Sequence, residues 1–234
     1  MESVPLRQTQ TQVLVNSFIR STYNWMALGL ALTGVVAWYV SNSEQMLRLI
    51  FGNRLLFFGL IIGELGLVFY LSARINKVQA STATGLFLLY AALNGATLSA
   101  IFLVYTKSSI ASTFFVCAGT FVVTSIYGMT TKRDLTGLGN FLFMGLIGII
   151  IATVVNIFLK SPAIAMIVSY IGVLVFVGLT AYDTQYLKNM AMTQPAGLDA
   201  GVVRKGAIMG ALKLYLDFIN MFIFLLYIFG GRRD

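Results

Sequence analysis

The chain has 234 residues, 58% of them hydrophobic and only 10% charged, and its mean hydropathy is +0.86, which leaves no stretch able to build a second, soluble domain. Sixteen Lys and Arg against eight Asp and Glu give a formal charge of +8, but the basic residues form no concentrated block, which excludes a nucleic-acid partner. There is no histidine and a single cysteine, Cys117, so disulfide frameworks, zinc fingers, haem and histidine-based metal sites are excluded as well.

Met1 to Ser21 is polar and contains Gln8 to Gln12 without an apolar h-region, so it reads as a short tail rather than a cleaved signal. A spanning helix needs roughly 20 mostly apolar residues. Seven windows meet that length: Tyr23 to Val40, Leu55 to Ala73, Thr82 to Tyr105, Ser109 to Met129, Leu138 to Leu159, Pro162 to Leu187 and Gly206 to Phe229. Continuous apolar runs such as Phe143 to Val155 do not alternate, which favours helices over the alternating segments of a barrel. The expected organisation is a polar cytoplasmic tail over 1–22, one seven-helix transmembrane domain over 23–229 and a short exterior tail over 230–234.

The third span carries small residues at four-residue intervals, Ala91, Gly95 and Ser99 beside Ala92, Ala96 and Ala100, a spacing that lets helix backbones approach closely. Cys117, in the fourth span, reads as a small packing residue. Gly137-Leu138-Gly139 has no strand before it and is no phosphate loop.

Orientation follows from the loop charges. Arg7, Arg20, Arg74, Lys77, Lys132, Arg133, Lys188, Arg204 and Lys205 lie on the amino-terminal side; Arg48, Arg54, Lys107, Lys160, Arg232 and Arg233 lie on the other. The excess on the first side predicts a cytoplasmic amino terminus and a multi-pass protein of a bacterial inner membrane, with the lipid bilayer as its constant partner.

Two aspartates interrupt the last two spans, Asp183 near the end of the sixth and Asp217 inside the seventh. An ionised carboxylate in hydrocarbon costs at least about 2.5–3.5 kcal/mol, so each must face protein or water and have a partner, and the obvious partner is the other aspartate. With a loop of about 18 residues between the spans and a rise of 1.5 Å per residue, Asp183 is expected roughly 6 Å and Asp217 roughly 10–16 Å above the inner boundary. Two carboxylates a few Å apart do not both ionise easily, so they share a proton and titrate as one unit. Such a pair is a pH sensor that holds two helices together when it shares a proton and lets them separate when both groups ionise.

Other polar side chains fall within the spans: Glu64 at the middle of the second, Asn94 and Thr97 in the third, Lys213 and Asn220 on either side of Asp217, and Arg74 at the cytoplasmic end of the second. They are candidates for lining a wet inner path or tuning the pair, although Asn94 and Asn220 also suit simple hydrogen bonds between helices. Calcium prefers six to eight oxygen ligands, more than Asp183, Asp217, Glu64, Asn94 and Asn220 supply for a tight cage. Weak, transient coordination at Asp183 and Asp217 therefore suits a leak better than a store, and no resident cofactor is expected.

The run Val173 to Leu187, with Thr180-Ala181-Tyr182-Asp183-Thr184-Gln185, the segment Leu214-Tyr215-Leu216-Asp217-Phe218-Ile219-Asn220 and the loop Thr131-Lys132-Arg133-Asp134-Leu135 resemble the Bax inhibitor-1 family of membrane proteins, in the form of a bacterial member. The likeness covers nearly the whole chain, from about Tyr23 to Phe229. The resemblance implies a seven-helix bundle with the last helix in the middle and a pH-dependent calcium leak sensed by Asp183 and Asp217. It also implies an arginine from the second helix that latches the pair, for which Arg74 is the nearest match. Many relatives carry a Gly-Pro step in the third helix; Gly95-Ala96-Thr97 lacks the proline, so gating by a proline kink is not expected here. Lys213, beside Asp217, departs from the pattern in a way that bears on the pH window.

Three other classes compete. An intramembrane aspartyl protease also sets a Tyr-Asp and a second aspartate on neighbouring helices, but Tyr215 and Leu216 stand where its glycines belong and the last helix has no Pro-Ala-Leu step, so no enzymatic activity is expected. A retinal protein has a lysine in its seventh helix, as Lys213 is here, without the matching counter-ion pattern. A non-conducting regulator that binds another membrane protein, such as a quality-control protease, leaves no mark in loops this short.

Overall fold

The structure is a computed structural model, and it describes the backbone of residues 3–193 and 198–232, with side chains from residue 13 onward within them. Arg7 and Arg233, counted in the orientation argument, lie outside the described side chains. The described chain is all helical: α1 (Ser3–Ser41), α2 (Glu44–Gly52), α3 (Arg54–Arg74), α4 (Ala80–Leu98), α5 (Ile101–Val104), α6 (Lys107–Thr130), α7 (Thr136–Leu159), α8 (Pro162–Thr193) and α9 (Ala200–Phe229). Seven stretches are long and apolar enough to cross a membrane, α4 and α5 counting together, as the sequence predicts. The protein is an α-helical membrane protein with seven such helices.

The helices run beyond the expected spans where nothing in the sequence stops them. Helix α1 begins at Ser3, because Pro5 sits in the first turn, where its missing N–H is not needed. Its side chains Val15, Phe18, Ile19, Thr22 and Met26 recur at helical spacing and are buried, so the back half of the stretch read as a tail already packs. Helix α8 continues to Thr193 and α9 starts at Ala200, so the connection between them is far shorter than about 18 residues. After Gly178 the sequence offers no glycine or proline until Pro195.

Two features lie outside the seven-span reading. Helix α2 is capped by Ser43, whose Oγ accepts the Met46 N–H at 3.4 Å, and it buries Ile50; nine residues make it too short to span. The third span is broken between Leu98 and Ile101 without a proline. There the buried Ser99 hydroxyl donates to the Ala96 carbonyl at 2.6 Å, and the N–H groups of Phe102 and Leu103 turn back to Ser99 and Ala100 at 3.1 and 3.0 Å. A hydroxyl bonding back to its own helix competes with the regular ladder, and the span ends in a tightened turn.

The described chain forms two compact units, Met1–Val104 with Met190–Tyr215 and Tyr105–Asn189 with Leu216–Asp234. In the first unit α1 and α4 meet at Gly95, where an added Cβ would stand 2.6 Å from the Thr33 carbonyl oxygen. The small-residue spacing of the third span thus does what it predicts. Phe87 and Tyr90 set their ring edges against Tyr215 at 5.9 and 5.6 Å between centroids. In the second unit Phe218 packs between Phe114 and Phe121, each at 5.5 Å, and the fully buried Cys117 points its Sγ at the Phe218 carbonyl, 3.6 Å away. The most apolar window of α9 is 56% buried, against 11% for α3 and α7. The wide exposed faces of those two helices, Leu55 and Phe158 among them, suit contact with acyl chains.

Candidate functional site

Asp183 and Asp217 both belong to the second unit and both are buried, 7% and 4% exposed. Burial keeps both carboxyl groups away from the surface that would meet acyl chains. Asp183 is held in a tightly packed stretch of α8 in which Thr180 and Thr184 are wholly buried and Ala181 and Leu187 nearly so. The approach of α6 is backbone-close, since a Cβ on Gly128 would collide with the Ala181 carbonyl.

The residues just after Asp183 explain the loop Thr131 to Leu135. Gln185 accepts the Leu135 N–H at 2.9 Å through Oε1 and donates from Nε2 to the Arg133 carbonyl at 2.8 Å. Lys188 donates from Nζ to the Met129 carbonyl at 2.7 Å, placing a cation on the last turn of α6, where the helix dipole favours it. Asp134 starts α7 by accepting the Thr136 hydroxyl at 2.7 Å and the Thr136 N–H at 2.9 Å through Oδ1. Those two bonds, the hydroxyl first, hold the exposed Asp134 carboxyl below its ordinary range.

A second polar cluster lies in the first unit and joins four helices. Glu64 of α3 is buried; its Oε1 accepts from the Thr97 hydroxyl and its Oε2 from Asn94 Nδ2 at 3.1 Å. Asn94 in turn accepts the Tyr215 hydroxyl at 2.9 Å, and that hydroxyl lies 2.6 Å from Thr33 Oγ1 on α1. Thr33 Oγ1 is also 2.8 Å from the Ala91 carbonyl and 2.9 Å from that of Gly29. Both carboxylate oxygens therefore have donors, the condition for an acid to persist between helices. The sequence reading groups Glu64, Asn94 and Thr97 with Asn220 and Arg74; the hydrogen bonds of this cluster join the first three to Tyr215 and Thr33, which that reading misses. The signal for Tyr215 was its position two residues before Asp217, which on a helix turns the two side chains to different faces.

The other candidates are placed as follows. Arg74 is exposed and ends α3 in the first unit. Lys213 is half-buried, one turn before Asp217 in α9. Asn220 donates from Nδ2 to the Leu216 carbonyl of its own helix at 2.8 Å. Among the described residues no group of three or more His, Cys, Asp or Glu side chains gathers to hold a metal ion.

Residues 15–234 match the family model described as inhibitor of apoptosis-promoting Bax1. The chain belongs to the Bax inhibitor-1 family. It is 56% identical over 224 residues to the inner membrane protein YbhL of Escherichia coli, with 96% of this chain and 95% of that one covered. It is 46% identical over 219 residues to a protein of Rickettsia prowazekii, covering 93% and 90% of the two chains. A Borreliella burgdorferi protein is 43% identical over 233 residues, with 99% of both chains covered. Family membership and the inner-membrane relative agree with the seven apolar helices: this is a multi-pass Bax inhibitor-1 protein of an inner membrane.

Proposed function

We propose that this Bax inhibitor-1 protein is a pH-sensitive cation leak, with calcium as its permeant ion and no enzymatic activity or resident cofactor. Asp183 and Asp217 are its sensor and gate. One observation carries the reading: two carboxyl groups on consecutive helices are both buried in the same compact unit, where an ionised acid is costly unless it has a partner.

The chemistry is that of a shared proton. While the pair holds one proton its single negative charge is tolerable and the sixth and seventh spans stay together. When both groups ionise, repulsion and hydration favour a separated state that admits water and a cation. Two carboxylates coordinate calcium weakly enough to release it, as conduction requires. In this scheme Lys213, one helical turn before Asp217 in α9, tunes the pH window of the pair. The amino terminus is cytoplasmic, as the loop charges favour.

The test is calcium flux into liposomes over a series of pH values for the native chain, Asp183→Asn and Asp217→Asn. Flux should rise as the pair ionises, and each asparagine variant should show a flattened response. Absence of flux at every pH would transfer the assignment to a non-conducting regulator that binds another membrane protein.

A further inference from the structure

Outside the candidate site, the first unit contains a polar concavity of about 450 Å³ lined by Ser17, Arg20, Ser21, Asn24, Trp25 and Leu28. These residues recur every three or four positions along α1 and form one stripe, polar at its start and apolar at Leu28, across the point where the first span begins. Tryptophan at such a boundary is typical of the bilayer interface. The guanidinium of Arg204, from the first turns of α9, stands over the Trp25 ring at 5.4 Å. Among the described residues Arg204 hydrogen-bonds through its Nε, to Thr84 Oγ1 at 3.2 Å, and its two Nη nitrogens face no acceptor there.

No carboxylate forms an ion pair with Arg20 or Arg204 among the described residues. Asp199, the acid nearest in sequence to Arg204, is exposed and caps α9 by accepting the Gly201 N–H at 2.7 Å. Lys205 strengthens the positive field of this end of the unit, its Nζ donating to the Asn76 carbonyl at 3.3 Å. One arginine fork, two serine hydroxyls and an asparagine amide line the concavity, Leu28 gives it an apolar end toward the span, and a second arginine, Arg204, is stacked on its Trp25, a set that matches the chemistry of a phosphodiester whose tails continue along the helix.

We propose that this concavity binds the headgroup of an anionic phospholipid, with Arg20 and Arg204 as its phosphate ligands. The inference is independent of cation conduction, and its test reads lipid binding alone. Full-length protein in an uncharged detergent is titrated with phosphatidylglycerol, phosphatidylcholine or inorganic phosphate at matched ionic strength, following retained lipid by native mass spectrometry and the melting temperature. Phosphatidylglycerol should bind and raise the melting temperature, and the other two should not. Arg20→Gln and Arg204→Gln should each weaken phosphatidylglycerol binding at least threefold, whereas Arg54→Gln, an exposed arginine outside this stripe, should leave it unchanged. Arg20 is itself exposed, so its variant folds and decides the matter even if Arg204→Gln disturbs α9. Equal binding of phosphatidylcholine, equal stabilisation by free phosphate, or an Arg20→Gln variant indistinguishable from Arg54→Gln would each overturn the assignment.

Discussion

Tyr215 donates its hydroxyl proton to Asn94 Oδ1 across 2.9 Å and so ties α9 to α4 through a side chain that also orients the ligand of a buried acid, Glu64. Replacing Tyr215 with Phe keeps the ring contacts with Phe87 and Tyr90 and removes only the hydroxyl. Hydrogen bonds between membrane helices average about 0.6 kcal/mol, and an acceptor left bare adds to the loss, so the expected destabilisation is about 1–2 kcal/mol. Unfolding in a denaturing detergent measures it, and a loss below the error of that method would remove the bond from the account.

Glu64 should tolerate Gln and reject Leu. The amide keeps an acceptor for Thr97, whereas leucine strands the hydroxyl of Thr97 and the amide of Asn94 together. Glu64→Leu is therefore expected to lower stability by about 1–3 kcal/mol more than Glu64→Gln. Comparing the two variants in the same unfolding assay reads the difference, and the reverse order would contradict it.

Gly128 admits no side chain, because the atom met by a new Cβ is the Ala181 backbone oxygen, which cannot rotate aside. Gly128→Ala should cost about 1–3 kcal/mol by forcing α6 away from α8. Gly119, on the same helix with open space around it, is the control and should accept alanine freely.

Gln185→Leu removes both bonds that hold the backbone of Arg133 and Leu135. Limited proteolysis should then cut between Thr131 and Leu135 at least several times faster than in the native chain. An unchanged cleavage rate would mean that Lys188 and Asp134 suffice to fix the loop.

The Asp134 carboxyl is depressed by its bonds from Thr136, so its contribution is present above the ordinary carboxylate value and is lost as pH falls through its lower folded value. Protection of the Thr136 amide, relative to its intrinsic exchange rate, should fall as pH drops through that lowered value. In Asp134→Asn that acid step should disappear.

Much of this architecture is legible in the sequence because apolar length is a strong signal: all seven spans, the close packing of Gly95 and the buried role of Cys117 follow from residues alone. The ends of α1, α8 and α9 are not, since hydropathy marks where a helix meets lipid and says nothing of where its hydrogen bonds stop. Helix α2 escapes for the opposite reason, being too short for a span-length window. The break at Ser99 is hidden because it depends on which carbonyl a hydroxyl chooses. Of the candidate site, the two buried aspartates and the Glu64–Asn94–Thr97 cluster are visible as polar residues in apolar runs. Tyr215, Thr33, Gln185 and Lys188 are not, because amphipathic side chains become partners only once the fold sets their neighbours.

The grip of Gln185 on its loop also narrows what evolution can write at that position. The site asks one side chain to give a proton to the Arg133 carbonyl and to take one from the Leu135 amide. Glutamate has the shape but lacks the proton to give, and methionine has the length but neither function. A slow, spontaneous deamidation of this single residue would thus convert a fastener into a repellent, loosening an exposed turn from within the bundle.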